Sequence, residues 1–154
     1  MGMIDPLRER ALKLLARREY ARAELLRKLM PYAQSKEEVE CLLGDLAARQ
    51  ILSDERYAKA RVNARGRRFG NAVLTQELRS AGVPESYVKN ALADCSDELT
   101  RARQVWQRKF GDKALKMEAS EYNRQKRFLL GRGFSGETIH QVLNMNFEED
   151  LSDA

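Results

Sequence analysis

The chain has 154 residues, 43% of them hydrophobic but only 7% aromatic, so it can bury a core, though a lean one. Charged residues make up 33% with a net charge of +5, and only three prolines occur. No alternating β-branched runs and no apolar run of membrane length stand out, so the composition points to an all-α protein without a membrane span.

Asp5-Pro6 opens the first helix: a capping acid followed by a proline in the first turn. Leu7, Ala11, Leu14 and Leu15 form its core face. Arg17 to Tyr20 turns the chain into a second helix, about Ala21 to Met30, which Pro31 breaks. Ser35 to Glu38 matches the S-x-x-E capping box and starts a third helix that runs to roughly Arg49. Ser53 or Asp54 should cap a fourth, running to about Arg68. Tyr57, Ala58 and Val62 would face inward, and Arg56, Lys59, Asn63 and Arg67 outward.

From Gly70 to Leu92 the pattern is helix, stop, helix. Val73, Leu74, Leu78 and Ala81 share one face, Gly82 stops the helix, and Pro84 fits the first turn of the next, with Tyr87, Val88, Ala91 and Leu92 as its stripe. Asp97 should cap a seventh helix with Leu99, Ala102, Val105, Trp106 and Phe110 inward and Gly111 as its stop. Lys113 to Lys116 reads as a basic connector. An eighth helix is expected over Ala119 to Gly131 and a ninth over Ser135 to Asn146, with a frayed acidic tail after Phe147.

The central pattern repeats. Aligning Gly133 with Gly82 places Leu129 on Leu78, Ile139 on Val88, Val142 on Ala91 and Leu143 on Leu92. A looser copy runs from Glu24 through Pro31 to Leu42 and Leu43. Three copies of one helix pair imply a tandem helical repeat: nine helices in three sets, with repeats at 5–52, 53–95 and 96–147 and a tail at 148–154.

Charge is uneven. Lys59 to Arg79 holds six bases (Lys59, Arg61, Arg65, Arg67, Arg68, Arg79) against Glu77. Arg101 to Arg132 holds ten bases, including Arg108, Lys109, Lys126, Arg127 and Arg132, against three acids. Such asymmetry suggests a nucleic acid, or an assembly containing one, as partner. The surface expected to bind comprises Lys59, Arg65, Arg67, Arg68, Arg79, Lys126, Arg127 and Arg132. Arginine forks match phosphate oxygens, but also acidic protein surfaces. Phe69, Tyr122 and Trp106 are more readily explained as core than as stacking platforms.

Catalytic motifs are lacking. His140 is the one histidine and has no metal-spaced partner; no phosphate loop, nucleophile elbow or H-E-x-x-H occurs. The chain is therefore read as a non-enzyme without cofactor or metal. Cys41 and Cys95 lack CxxC spacing and are expected to be small buried hydrophobes in a reducing cytoplasm. Met1-Gly2 is a weak myristoylation signal, since Pro6 stands where Ser or Thr is needed.

Ile51 to Ala58, Arg65 to Val83, Arg108 to Gly111 and Gln125 to Phe134 together resemble the RecX regulatory proteins of bacteria, in motif order and spacing, from about Leu7 to Phe147. Two departures stand out: Gln50 where that family often has Gly, and Asn71 where it often has Pro. The resemblance implies three three-helix repeats in an elongated, curved array. It also implies a monomeric, non-catalytic cytoplasmic regulator that binds the RecA–DNA filament and inhibits RecA's recombinase, ATPase and co-protease activities, modulating DNA repair, recombination and the SOS response. DNA alone would bind weakly. The alternative reading is a helix-turn-helix protein acting directly on duplex, for which Thr75, Gln76 and Arg79 would be base-reading candidates.

Overall fold

The computed structural model describes residues 5–111 and 118–152. Among these residues the chain is all-helical, in the order α1 (Pro6–Arg17), α2 (Arg22–Leu29), a 3₁₀ turn (Met30–Tyr32), α3 (Lys36–Ala48), α4 (Asp54–Arg65), α5 (Asn71–Ser80), α6 (Glu85–Asp94), α7 (Glu98–Phe110), α8 (Ala119–Gly131) and α9 (Gly136–Ser152). The chain divides into two compact units, Met1–Ala60 with Leu78–Ala91 and Arg61–Glu77 with Leu92–Ala154. The division falls inside α4 and α5.

Helix starts follow the side chains able to satisfy free N–H groups. Asp5 accepts from the Leu7 N–H at 3.0 Å. Ser35, Ser53 and Asp97 accept from the N–H groups of Glu38, Arg56 and Thr100. In the capping box, Glu38 reaches back to the Gln34 N–H at 2.8 Å rather than to its own cap residue. Two helix starts borrow their acceptor from afar. The Arg22 N–H donates to Asp54 at 2.7 Å, and the Ser135 N–H donates to Glu98 at 2.7 Å. Asp54 and Glu98 each open a helix of their own, α4 and α7.

The turn that defines the repeat closes three helices. Val83 N–H bonds back to the Leu78 carbonyl at 3.1 Å, Phe134 to Leu129 at 3.2 Å and Ile51 to Leu46 at 2.9 Å. Gly82 and Gly133 take positive φ at the first two, +81° and +90°, and Gln50 takes +61° at the third. Gln50 thus adopts a glycine's conformation, with the steric cost this carries for a side chain.

In the first unit Leu7, Ala11, Leu25, Leu29, Val39, Leu43 and Leu46 are among the residues forming one buried cluster. In the second, α9 packs on α7 and α8. Ala102, Val105, Trp106, Phe110, Leu129, Phe134, Ile139, Val142 and Leu143 form its core. Trp106 Nε1–H donates to the buried Gln125 Oε1 at 2.8 Å, and Gln125 Nε2–H donates to Glu121 at 3.1 Å, so the buried amide is satisfied.

The structure departs from the sequence reading in several places. Helix α4 ends at Arg65, not Arg68, because the chain turns at Gly66: the Arg68 and Phe69 N–H groups both bond to the Arg65 carbonyl. Arg67 therefore leaves the helical face expected of it. Helix α7 does end at Gly111, its C-cap, but that glycine is right-handed (φ −52°) rather than a left-handed stop. Helix α9 runs six residues past Asn146, to Ser152, through the stretch expected to fray. Cys41 is exposed and Cys95 half-buried, both free thiols, because α3 turns Val39, Leu42, Leu43 and Leu46 inward and Cys41 away. The connector from Lys113 to Lys116 lies outside the described residues.

Candidate nucleic-acid interface

The site is built from α7 outward. Arg101 precedes Val105 by one helical turn, so it falls on the core side, where it is 4% exposed. A buried guanidinium must have its donors met. Arg101 meets them on the turn that leaves α4. Its Nη1–H donates to the Phe69 carbonyl at 2.7 Å and to the Gly66 carbonyl at 3.3 Å. Its Nε–H donates to the Ser96 carbonyl at 2.9 Å, and its Nη2–H to Asn71 Oδ1. Asn71 thus supplies an acceptor that a proline could not. Two turns further along α7, Arg108 donates to the Arg67 carbonyl.

The same turn is spliced to the one between α8 and α9. Gly70 N–H donates to the Arg132 carbonyl at 2.7 Å, and Ala72 N–H to the Gly133 carbonyl at 3.2 Å. The backbones approach so closely that a Cβ at Gly70 would lie 2.4 Å from the Gly133 oxygen. This close approach brings Arg132 alongside Arg67 and Arg68.

The result is a groove of about 480 Å³ lined by Arg67, Arg68, Arg108, Lys109 and Arg132 with Val105 and Phe128. No carboxylate is among its described lining residues. The Arg132 guanidinium lies 5.1 Å from the Phe128 ring centre and 5.3 Å from that of Phe69, and Lys109 Nζ lies 5.5 Å from Phe128. Phe128 is itself held edge-to-face against Phe110 at 5.4 Å. A ring face attracts and orients a cation without cancelling its charge, as a carboxylate would. The groove therefore presents cations whose charge remains available to a phosphate, and its aromatic ring serves as their platform rather than as a base-stacking surface.

Of the eight residues expected from sequence, Arg67, Arg68 and Arg132 meet here. Arg65 turns to Glu77, with Nη2 2.6 Å from Oε1. Lys126 and Arg127 are exposed on α8 outside the groove lining. Lys59 and Arg79 lie in the other unit and face acids. Lys59 is 3.3 Å from Glu55, and Arg79 forks onto Glu85 with bonds of 3.0 and 2.7 Å. That hydrogen-bonded pairing raises Arg79 and lowers Glu85 from their ordinary pKa values. Arg108, Lys109, Val105 and Phe128 were missing from the expected set. The signal for them was the basic pair at the end of α7, directly before the buried Phe110.

Among the described residues no cluster of His, Cys, Asp or Glu is arranged to hold a metal ion, and no helix is long and apolar enough to cross a membrane. His140 is exposed, and its ring nitrogens meet Asn144 Nδ2.

Comparison with known proteins places both ends of this groove within described domains. Residues 53–92 match the family description "RecX, second three-helix domain", and residues 96–143 match "RecX, third three-helix domain". The chain is similar to the regulatory protein RecX of Leptothrix cholodnii, 48% identical over 140 residues that cover 90% of this chain and 88% of that protein. It is similar to the regulatory protein RecX of Chromobacterium violaceum, 42% identical over 145 residues, covering 94% and 93%. Its fold is similar to the crystal structure of RecX from Lactobacillus salivarius, with a TM-score of 0.79 at 19% identity, covering 91% of this chain and 94% of that one.

Proposed function

The chain belongs to the RecX family, and from that premise we propose that it is a regulator that binds the filament RecA forms on DNA and restrains RecA's recombinase, ATPase and co-protease activities. It acts by occupancy, as a cytoplasmic monomer without catalysis of its own, and so modulates recombination, DNA repair and the SOS response. Its repeats are bounded at 5–52, 53–95 and 96–147.

The observation that supports this reading most is the groove of five cations, with no carboxylate among its described lining residues. Its chemistry suits a phosphodiester backbone. Phosphate contacts alone would give affinity that falls steeply with salt. A filament offers protein walls beside its DNA, and simultaneous weak contacts to both multiply through effective concentration. Tight binding should therefore need the filament, with naked DNA bound weakly.

The test follows ATP hydrolysis by RecA on single-stranded DNA while the protein is added, with naked DNA as competitor. Suppressed hydrolysis that excess naked DNA fails to relieve supports the filament regulator. Unaffected hydrolysis at saturating protein, with naked DNA competing as well as filament, replaces it with direct DNA binding.

A further inference from the structure

A second charge cluster adjoins the groove. Glu77, on α5, faces two arginines of α4. Arg65 Nη2 lies 2.6 Å from its Oε1 and Arg61 Nε 3.7 Å from its Oε2. An arginine and a carboxylate meeting squarely make two parallel hydrogen bonds. Here the second is missing. Arg65 Nε and Glu77 Oε2 are both shut off from solvent with no hydrogen-bond partner. Buried polar atoms left unpaired cost free energy, so Glu77 is an imperfect counter-ion for this guanidinium. The Arg65 guanidinium also lies 4.5 Å from the centre of the Phe69 ring, over which the groove's Arg132 lies at 5.3 Å. A single shared ring separates Arg65 from the groove.

We propose that Arg65, with Arg61 beside it, is a reserve phosphate subsite that Glu77 keeps occupied until a nucleic-acid strand in the groove displaces it. This rests on reading the groove as a nucleic-acid interface. A phosphodiester has two non-bridging oxygens and can take Arg65 Nη2–H and Nε–H together, which Glu77 does not. The displaced carboxylate returns to water and recovers its lost hydrogen bonds. A strand already held by Arg67, Arg68 and Arg132 presents its neighbouring phosphate at high effective concentration, whereas a lone anion does not. The subsite thus favours a continuous strand over isolated phosphate.

The test measures binding of a dye-labelled oligothymidylate to full-length variants over a range of salt. Glu77→Gln should raise affinity about fivefold and steepen the slope of log affinity against log salt by about 0.7 for each phosphate gained. Glu137→Gln, the same charge change on an exposed α9 residue, should stay within about twofold. Arg65→Gln alone should weaken binding by no more than about twofold, because exchanging Glu77 for a phosphate at Arg65 gains little net, yet it should remove the gain in the Glu77→Gln background. The idea is overturned if Glu77→Gln binds no better than Glu137→Gln, or if the gain survives in the double variant. A wild-type measurement bypasses any folding defect. The ¹⁵N–¹H signal of Arg65 Nε should shift and exchange more slowly when oligothymidylate is added, and an unchanged signal at saturation rejects the subsite. The groove reading stands or falls separately: it fails if Arg67→Gln, Arg68→Gln and Lys109→Gln combined leave oligothymidylate binding at the wild-type level.

Discussion

The two compact units hold their cations differently, although Arg10 and Lys28 of the first also rest on rings, those of Tyr32 and Tyr20. In the first, Arg8 and Arg49 share Asp45, Arg18 takes Glu24, Arg56 takes Glu19 and Arg79 takes Glu85. Each pair largely cancels its own field for an approaching anion. In the second, three of the groove's cations, Lys109, Arg132 and Arg108, rest on the rings of Phe128 and Phe69 or on a backbone carbonyl. Arg61, Arg65 and Arg124 of that unit, which do face acids, lie outside the groove lining. A count of bases is therefore a poor guide to a binding surface. What decides is whether an acid or a neutral group holds each one in place.

The comparison can be broken most severely at the backbone splice. Gly70→Ala drives a Cβ into the Gly133 carbonyl, which is backbone and cannot rotate away. The loss should be about 3 kcal/mol or more, seen as a lower urea midpoint, with groove binding lost alongside. A near-native midpoint would mean that the two turns do not depend on this approach. The cores, by contrast, should behave alike. Leu78 in the first unit and Leu129 in the second are both 0% exposed at matching turn positions. Replacing either with alanine should cost about 2–5 kcal/mol. An unchanged melting temperature for one would remove it from the repeat register.

The charge contrast is sharpened by two variants of equal net-charge change. Replacing Arg67, Arg68 and Lys109 with glutamine should weaken filament binding roughly a hundredfold at about 0.1 M salt. Replacing Arg18, Arg49 and Arg79 with glutamine should change it by less than about threefold, since their charge is already matched. Similar losses in both would show that net charge alone governs binding.

The smallest expected effect is with pH. Asp45 is lowered by its hydrogen bond from Arg8, then by Arg49, and Glu85 by its hydrogen bond from Arg79. Burial pushes Glu24 up, but the Arg18 hydrogen bond and charge outweigh it and leave it lowered. In the second unit Asp97 is lowered by hydrogen bonds from Thr100. A lowered folded-state pKa contributes stability that is fully present above the unfolded value, about 3.9 for Asp and 4.3 for Glu, and is lost as pH falls through the folded one. Urea midpoints should thus be insensitive to these groups near neutrality and drop below about pH 4. Asp45→Asn should flatten that acid limb, and an unchanged limb would deny the pairing a role in solution.

Local chemistry was legible in the sequence. Asp5, Ser35, Ser53 and Asp97 cap helices as their spacing implies, and Gly82 and Gly133 occupy matching left-handed turns. The limits of α8, Ala119–Gly131, also follow from the pattern. The groove was legible only in part, because it joins the end of α4, the end of α7 and the α8–α9 turn, and nothing local records that meeting. Glu77 was visible as the one acid between Lys59 and Arg79, but that it faces Arg65 from the next element, twelve residues on, was not. Lys59 could have been discounted from sequence, since Glu55 stands four residues earlier on the same helix. Cys41 was misjudged because its apolar neighbours Leu42 and Leu43 lie on a different face of α3.

The central claim is that restraint of RecA runs through the basic groove of the second unit. The direct measurement is RecA ATP hydrolysis on single-stranded DNA, titrated with wild-type protein and with the two glutamine variants. The wild type and the Arg18/Arg49/Arg79 variant should suppress hydrolysis over the same concentration range. The Arg67/Arg68/Lys109 variant, folded by its melting temperature, should require far more protein or fail to suppress. Equal suppression by all three would contradict the account.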